Sequence, residues 1–175
     1  MLSRLISKRA FSSSSRRLLQ IGEEIPEIAL KQNSPGNDVY LSDLVSKGRS
    51  IIVGVPGAFS PACSASHVPG YIKHFDDFAA KGINSIHVVG VNDPFVFKAW
   101  AESLKGSEKL NFLADPSAVF TQTADLGVDA TNIFGGIRST RYALIVKDGK
   151  VEQQFDEPDH FGISVSSAEE VLEKL

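Results

Sequence analysis

Apolar runs no longer than a β-strand recur along this 175-residue chain, at Ile51–Val55, Ser85–Val91, Asn111–Ala114 and Tyr142–Lys147, and residues with the spacing of a buried helical face fill several of the intervals. That alternation points to an α/β sheet, in which short apolar strands are covered by helices. The strongest helical pattern follows Pro61: Val68, Tyr71, Ile72, Phe75, Phe78 and Ala79 fall three or four residues apart, and Gly82 stops them. A second helix opens at Asp93-Pro94 and places Phe95, Phe97, Trp100 and Leu104 at apolar positions, and a last one spans Ser167–Leu175. Asp148-Gly149 stands between Tyr142–Lys147 and Val151–Phe155, a tight-hairpin signal, so the final strand pair is antiparallel and the sheet is mixed.

A mixed central β-sheet flanked by helices, with a C-terminal β-hairpin and helix, is a thioredoxin-like layout. One domain accounts for it, since the chain carries no internal repeat and no linker. The composition, 42% hydrophobic and 22% charged, is that of an ordinary globular protein. No apolar stretch approaches the roughly 18 to 20 residues that cross a bilayer. A formal net charge of -3 offers no general footprint for nucleic acid, so neither membrane nor nucleic acid is an expected partner. Cys63 is the only cysteine, which excludes an intramolecular disulfide, a CxxC pair and a multi-cysteine zinc site. His74, His87 and His160 lack metal-ligand spacing, and Gly135-Gly136 lacks the Lys-Ser/Thr of a phosphate loop, so no metal or bound cofactor is expected. Any thiol chemistry must borrow its second sulfur from outside.

Residues 1–22 differ from the rest. They hold Arg4, Lys8, Arg9, Arg16 and Arg17 with no acid, a serine run from Ser12 to Ser15, and Leu2, Leu5 and Ile6 on one helical face. Basic, serine-rich, acid-poor and amphipathic composition is that of a mitochondrial transit peptide, with cleavage expected at 11/12 or 18/19 and the folded domain over 23–175. Losing residues 1–18 removes five cations and no acid, taking the formal charge from -3 to about -8. The C-terminal Glu173-Lys174-Leu175 resembles a peroxisomal tripeptide in its last two residues, with Glu173 where that signal has a small residue. The mitochondrial matrix is the expected location and the peroxisome the alternative.

The strand Ile51–Val55 runs straight into Pro56-Gly57-Ala58-Phe59-Ser60-Pro61-Ala62-Cys63, and a helix follows. Ligands of open α/β sheets bind at the carboxyl ends of strands, where helix N-termini gather. Ser60 suits an N-cap and Pro61 the first helical position, which puts Cys63 in the first turn among free backbone donors. The helix macrodipole favours a thiolate there by roughly 0.3 to 1 kcal/mol, or about 2 in good geometry. Bringing an ordinary thiol from a pKa of about 8.5 to about 6 takes roughly 3.4 kcal/mol, so a nearby cation is required as well. Ionisation raises the reactive fraction only about thirtyfold at neutral pH; a fast reaction with peroxide also needs donors aligned on its oxygens. A hydroxyl and an arginine are the groups to look for.

Pro56 to Cys63, followed by His67-Val68-Pro69-Gly70, resembles the active-site stretch of the peroxiredoxins, in particular their type II (peroxiredoxin-5-like) branch, with the Pro-x-x-x-Thr/Ser-x-x-Cys core met by Pro56, Ser60 and Cys63. The likeness continues through Val91-Asn92-Asp93-Pro94-Phe95, Trp100, Leu113-Ala114-Asp115-Pro116 and Arg141-Tyr142-Ala143-Leu144, covering nearly all of 23–175. It implies that Cys63 is the peroxidatic cysteine, Ser60 the hydroxyl that bonds the peroxide, Pro56 the ring that shields the site from water, and Arg141 the arginine that fixes thiolate and peroxide, with Arg138 the weaker candidate. Phe59, Pro61, Ala62, Ile133 and Phe134 match the pocket walls, which would admit organic hydroperoxides as well as hydrogen peroxide. Two features depart from the pattern: Ser60 stands where threonine is commoner, and no resolving cysteine exists.

The implied activity is a thiol-dependent peroxidase of the 1-Cys kind, serving mitochondrial antioxidant defence. Cys63 becomes a sulfenic acid that an external thiol, glutathione with glutaredoxin or else thioredoxin, returns to the thiol. Type II relatives commonly pair through surfaces near the active site, so a homodimer is expected. Other readings of the same residues are a CxxS monothiol oxidoreductase built on Cys63-Ser64-Ala65-Ser66, a Cys63/His67 hydrolase lacking an identifiable orienting group, and a non-enzymatic redox sensor or chaperone.

Overall fold

The computed structural model describes residues 19–175; the presequence expected over 1–22 lies outside the described residues up to position 18. Seven strands form one twisted sheet: β1 (Ala29–Lys31), β2 (Asp38–Tyr40), β3 (Arg49–Gly54), β4 (Ile83–Gly90), β5 (Asn111–Ala114), β8 (Tyr142–Lys147) and β9 (Lys150–Asp156), in the order β2-β1-β5-β4-β3-β8-β9. β6 (Gly127–Asp129) and β7 (Ile137–Ser139) make a separate two-stranded ribbon. β3, β4 and β5 run parallel, while β8 lies antiparallel to β3 and β9 antiparallel to β8, the mixed thioredoxin-like sheet expected from the sequence. At the hairpin, Asp148 (φ 48°) and Gly149 (φ 82°) are both left-handed, the geometry in which a tight turn matches strand twist.

Eight short helices complete the described fold: α1 (Leu41–Leu44), a π-helical turn (Cys63–His67), α2 (Val68–Lys73), α3 (Phe75–Ala80), α4 (Pro94–Ser103), α5 (Val119–Thr123), α6 (Thr131–Phe134) and α7 (Ala168–Glu173). The helix expected after Pro61 is thus one path broken at His74, and Gly82 at φ 85° ends it. Val68, Tyr71 and Phe78 are buried on it as the spacing requires, whereas Ala79 faces solvent. Asp93 caps α4 by accepting from the N–H groups of Phe95 and Val96, both at 3.0 Å. Phe97 and Trp100 are buried on α4, but Phe95 is 62% exposed, because two residues before Phe97 it lies on the opposite face of the helix.

Alternate residues of β3 feed opposite faces. Ile51, Val53 and Val55 join Cys63, Tyr71, Phe78, Phe97 and Trp100 in one cluster; Ile52 joins Leu41, Leu113, Phe120 and Tyr142 in the other. The packed domain reaches back to Leu19, which is buried in the second cluster and donates its N–H to Ala124 O at 3.1 Å. The last residue of β3 is Gly54, because the Tyr142 ring lies against its backbone and a Cβ there would stand 2.0 Å from the ring. From that point the chain turns off the sheet into Pro56–Ser60.

Candidate active site

The loop after β3 is held rather than free. Ala58 N–H donates to Asn92 Oδ1 at 3.0 Å, tying the loop to the end of β4, and Phe59 sits at φ 60°, a left-handed conformation that a bulky residue adopts only under constraint. Pro61 is the first helical residue, as expected. Ser60 stands at the cap position but does not cap: its hydroxyl donates to Gly57 O at 2.8 Å, while its carbonyl accepts from Ser64 N–H at 3.0 Å. Val68 N–H closes the π-turn on Cys63 O. A widened turn suits Pro69 just beyond it, which has no N–H and whose ring crowds the carbonyl four residues earlier. Trp100 Nε1–H donates to Ser64 Oγ at 2.9 Å, locking this turn to α4.

Cys63 is fully covered and belongs to the same buried apolar cluster as Val55, Tyr71 and Trp100. On its polar side Arg141 Nη1–H donates to Cys63 Sγ at 3.3 Å. Arg141 immediately precedes β8, two positions beyond β7, and is itself 2% exposed. Its backbone N–H donates to His160 O at 2.8 Å and its Nε–H to Phe161 O at 2.9 Å, so the loop after β9 fixes its orientation. Nη1 also donates to His67 Nδ1 at 3.0 Å. Among the described residues no carboxylate pairs with this guanidinium, and Nη2 has no hydrogen-bond acceptor. A buried cation in contact with a sulfur and with neutral acceptors stabilises negative charge on that sulfur, since leaving it unpaired costs several kcal/mol.

Arg138 takes a different place. It donates to Val91 O and to Phe134 O at 3.1 Å and stacks over the Phe134 ring at 5.2 Å, stabilising the turn after α6. Phe134 in turn packs against Gly57, where an added Cβ would lie 3.2 Å from its ring. Phe59 (55% exposed) and Ile133 (66% exposed) are open to solvent, Pro61 is exposed, Ala62 is partly covered, and Pro56 is buried. Of the expected residues, the contacts therefore join Cys63 to Arg141 and bring Phe134 to the Pro56–Ser60 loop.

Two alternative chemistries lose their geometry. Ser66 is exposed and donates to Ala62 O at 3.3 Å while Cys63 is buried, so the CxxS residues do not share a surface. His67 offers neither ring nitrogen to Cys63: Nδ1 faces Arg141 and Nε2 faces Ser166 O at 3.0 Å. Burial first, and then the adjacent Arg141, lower its pKa to about 3, so it is neutral and a poor base.

The sequence reading did not find the layer behind Arg141. Glu157 accepts from Ser164 N–H (2.7 Å), Ser164 Oγ–H (2.6 Å), Ser166 N–H (2.8 Å) and Ser166 Oγ–H (2.7 Å). Partial burial works to raise its pKa, but these bonds together hold the carboxyl below its ordinary value. Tyr71 OH donates to Ser166 O at 2.7 Å. Only a weak signal exists for this layer in the chain, an acid just past a strand followed by serines seven and nine residues on.

A family model described as Redoxin matches residues 20–172. The chain is 46% identical to Peroxisomal membrane associated protein 20 of Schizosaccharomyces pombe, over 90% of this chain and 100% of that one. It is 41% identical to Peroxiredoxin-2C of Oryza sativa subsp. japonica, over 78% and 84%. Among solved structures it resembles reduced Prx3 of Vibrio vulnificus in complex with hydrogen peroxide, with a TM-score of 0.82, 39% identity and coverage of 89% and 99%.

Proposed function

Because this chain belongs to the peroxiredoxins, in their type II branch, and so is a thiol-dependent peroxidase, we propose that it reduces hydroperoxides with Cys63 as its sole redox-active thiol. The observation that carries this reading is the 3.3 Å hydrogen bond from a buried guanidinium, Arg141, to Cys63 Sγ. Cys63 thiolate attacks the terminal peroxide oxygen in line with the O–O bond. That bond breaks, sulfur loses two electrons and becomes a sulfenic acid, and the departing oxygen takes a solvent proton to leave as water or an alcohol. Arg141 Nη1 holds the sulfur, and Nη2, which has no partner among the described residues, is the donor available to the peroxide. Ser60 releases Gly57 O and turns its hydroxyl to the same oxygens, while Pro56 keeps water from the sulfur.

Cys63 is fully covered at rest, so peroxide enters when a wall gives way. Phe59, held left-handed and more than half exposed, together with Ala58, Pro61, Ala62, Ile133 and Phe134, forms that wall, and its apolar character suits organic hydroperoxides beside hydrogen peroxide. Hydrogen peroxide is the molecule found with the Vibrio vulnificus relative. The sulfenic acid is reduced from outside: one thiol, from glutathione or thioredoxin, displaces water to give a mixed disulfide, and a second thiol, from glutaredoxin, glutathione or thioredoxin itself, releases Cys63. The exposed Phe59 and Ile133 beside the site make that surface the one through which two copies pair. Cys63→Ser must abolish peroxide consumption; turnover surviving this change would refute the assignment. Assays with glutathione plus glutaredoxin against thioredoxin plus its reductase identify the donor.

We place the protein in the mitochondrial matrix through residues 1–22, where it serves antioxidant defence. The name of the Schizosaccharomyces pombe relative favours a second reading, the peroxisome. Leu175 packs in part on the core, while Glu173 and Lys174 are exposed, so the fold holds only the last side chain of the tripeptide. Fluorescent fusions lacking residues 1–22 or Leu175 separate the two: loss of mitochondrial signal only in the first supports the presequence.

A further inference from the structure

Arg141 is bonded in an unusual way for a buried guanidinium. Such groups ordinarily pair with a carboxylate, which repays part of their desolvation. Here the side chain donates to Phe161 O, His67 Nδ1 and Cys63 Sγ, and no acid touches it among the described residues. The nearest acid of the network, Glu157, reaches the Arg141 side chain only through two residues: it binds Ser166, and Ser166 binds His67.

The hydrogen bonds define which nitrogen of His67 carries the proton. Ser166 Oγ–H is committed to Glu157 Oε1 at 2.7 Å, and the Ser166 carbonyl has no proton to give. Both Ser166 oxygens, 3.0 and 3.2 Å from Nε2, therefore accept from Nε2–H. Nδ1 is left with a lone pair facing Arg141 Nη1–H at 3.0 Å, and the reverse tautomer would set two N–H groups against each other. The geometry points to His67 as a positioning residue that anchors Arg141 through a neutral acceptor, so that the guanidinium charge is left for the sulfur and for the oxygen it attacks. This inference rests on the roles proposed above for Cys63 and Arg141.

The surroundings keep His67 neutral. The titratable and charged groups that face it are Cys63, Arg141, Tyr71, edge-on with ring centroids 5.6 Å apart, and Glu157 behind Ser166. Burial, reinforced by Arg141, holds its pKa at about 3. Tyr71 is likewise uncharged, its hydroxyl pushed up by burial above all. A carboxylate in the place of His67 would hold Arg141 equally well in space but would claim its charge.

Asparagine and aspartate, nearly identical in shape, separate holding from charge. Asparagine Oδ1 can stand where Nδ1 stands and accept from Nη1; aspartate does the same with a negative charge. Iodoacetamide alkylation of Cys63 in the reduced full-length protein, followed against pH, reads the thiolate without requiring turnover. Relative to the native protein, His67→Asn is expected to slow alkylation at neutral pH about threefold, and His67→Asp about tenfold further, with its profile displaced to higher pH. Superimposable profiles for the two variants would overturn the inference. Nitrogen-15 spectra of the native imidazole give a second reading that needs no variant to fold: an unprotonated Nδ1 and a protonated Nε2, unchanged from about pH 5 to 8, are expected. A proton on Nδ1, or titration in that range, would refute it. Peroxide consumption by Cys63→Ser would defeat the underlying assignment instead, so the two failures are distinguishable.

Discussion

Replacing Glu157 with glutamine removes one charge and almost no volume from the layer behind Arg141. The carboxylate accepts four hydrogen bonds, three of them on Oε1, and a glutamine oxygen at that position retains three acceptor contacts but not their ionic strength. Charge-assisted bonds exceed neutral ones by roughly 1 kcal/mol each, and losses within one cluster are not additive, so Glu157→Gln should cost about 2 kcal/mol of folding stability. Glu157→Ala leaves Ser166 N–H and Oγ–H buried without an acceptor and should cost about 3 to 5 kcal/mol. Activity should fall with stability, because the loop that carries Glu157 also supplies His160 O and Phe161 O to Arg141. The pH dependence follows from the lowered carboxyl of Glu157. Its stabilisation is complete above the unfolded carboxyl value of about 4.3 and is lost as pH falls through the lower folded value, so the glutamine variant should lose less on acidification than the native protein. Urea unfolding at neutral and acidic pH, paired with single-turnover peroxide reduction, measures both effects. A glutamine variant within about 0.5 kcal/mol of the native protein at neutral pH, with an unchanged acid limb, would refute the reasoning.

Ser60→Ala should reduce the peroxide rate by about a hundredfold or more while leaving Cys63 alkylation by iodoacetamide nearly unchanged, since the role proposed for the hydroxyl is at the peroxide and not at the resting sulfur, to which it is not bonded; equal losses in both assays would contradict that role. His87 is buried on β4 with a pKa lowered to about 4 by burial, so the unfolded chain takes up its proton first and stability, full above about pH 6.5, declines as pH falls below that value. His87→Gln should therefore flatten the decline between about pH 6 and 4 by about 1.4 kcal/mol per pH unit in urea unfolding, and an unchanged slope would exclude a buried neutral histidine. Gly54→Ala would place a Cβ 2.0 Å from the buried Tyr142 ring and should destabilise by about 3 kcal/mol or more, which a thermal midpoint close to the native one would disprove.

What could be seen in the chain beforehand depended on how locally each feature is encoded. β5 and β8 have the limits expected of them, and Asp148-Gly149 makes its hairpin, because alternation and turn chemistry act within a few residues. β1, β2, β6 and β7 were not anticipated: at three residues each they carry no period, and only pairing across the fold makes them strands. Ala79 sits at the correct helical spacing yet faces solvent, while Phe95, two residues before the buried Phe97, falls on the opposite side of its helix, since apolar character alone does not select a face.

The site divides along the same line. Cys63 and Ser60 are legible because a strand, a proline-bounded turn and a helix start follow one another in the sequence, whereas Arg141 was found only through family likeness, its contact with Cys63 spanning 78 positions. His67 shows the limit most sharply. Four residues after Cys63, it invites a reading as that thiol's base, and an ordinary helix would present both side chains on one face. The widened π-turn still lets both meet Arg141, but as two acceptors of the same Nη1 group rather than as a base and its nucleophile. That difference is decided by Ser166, 99 residues away, whose two oxygens claim the Nε2 proton. The role of a histidine beside a reactive thiol is therefore set by the partner of its far nitrogen. Sequence spacing to the thiol constrains distance alone, and here the far partner makes the ring a holder of the cation instead of an acceptor for the thiol proton.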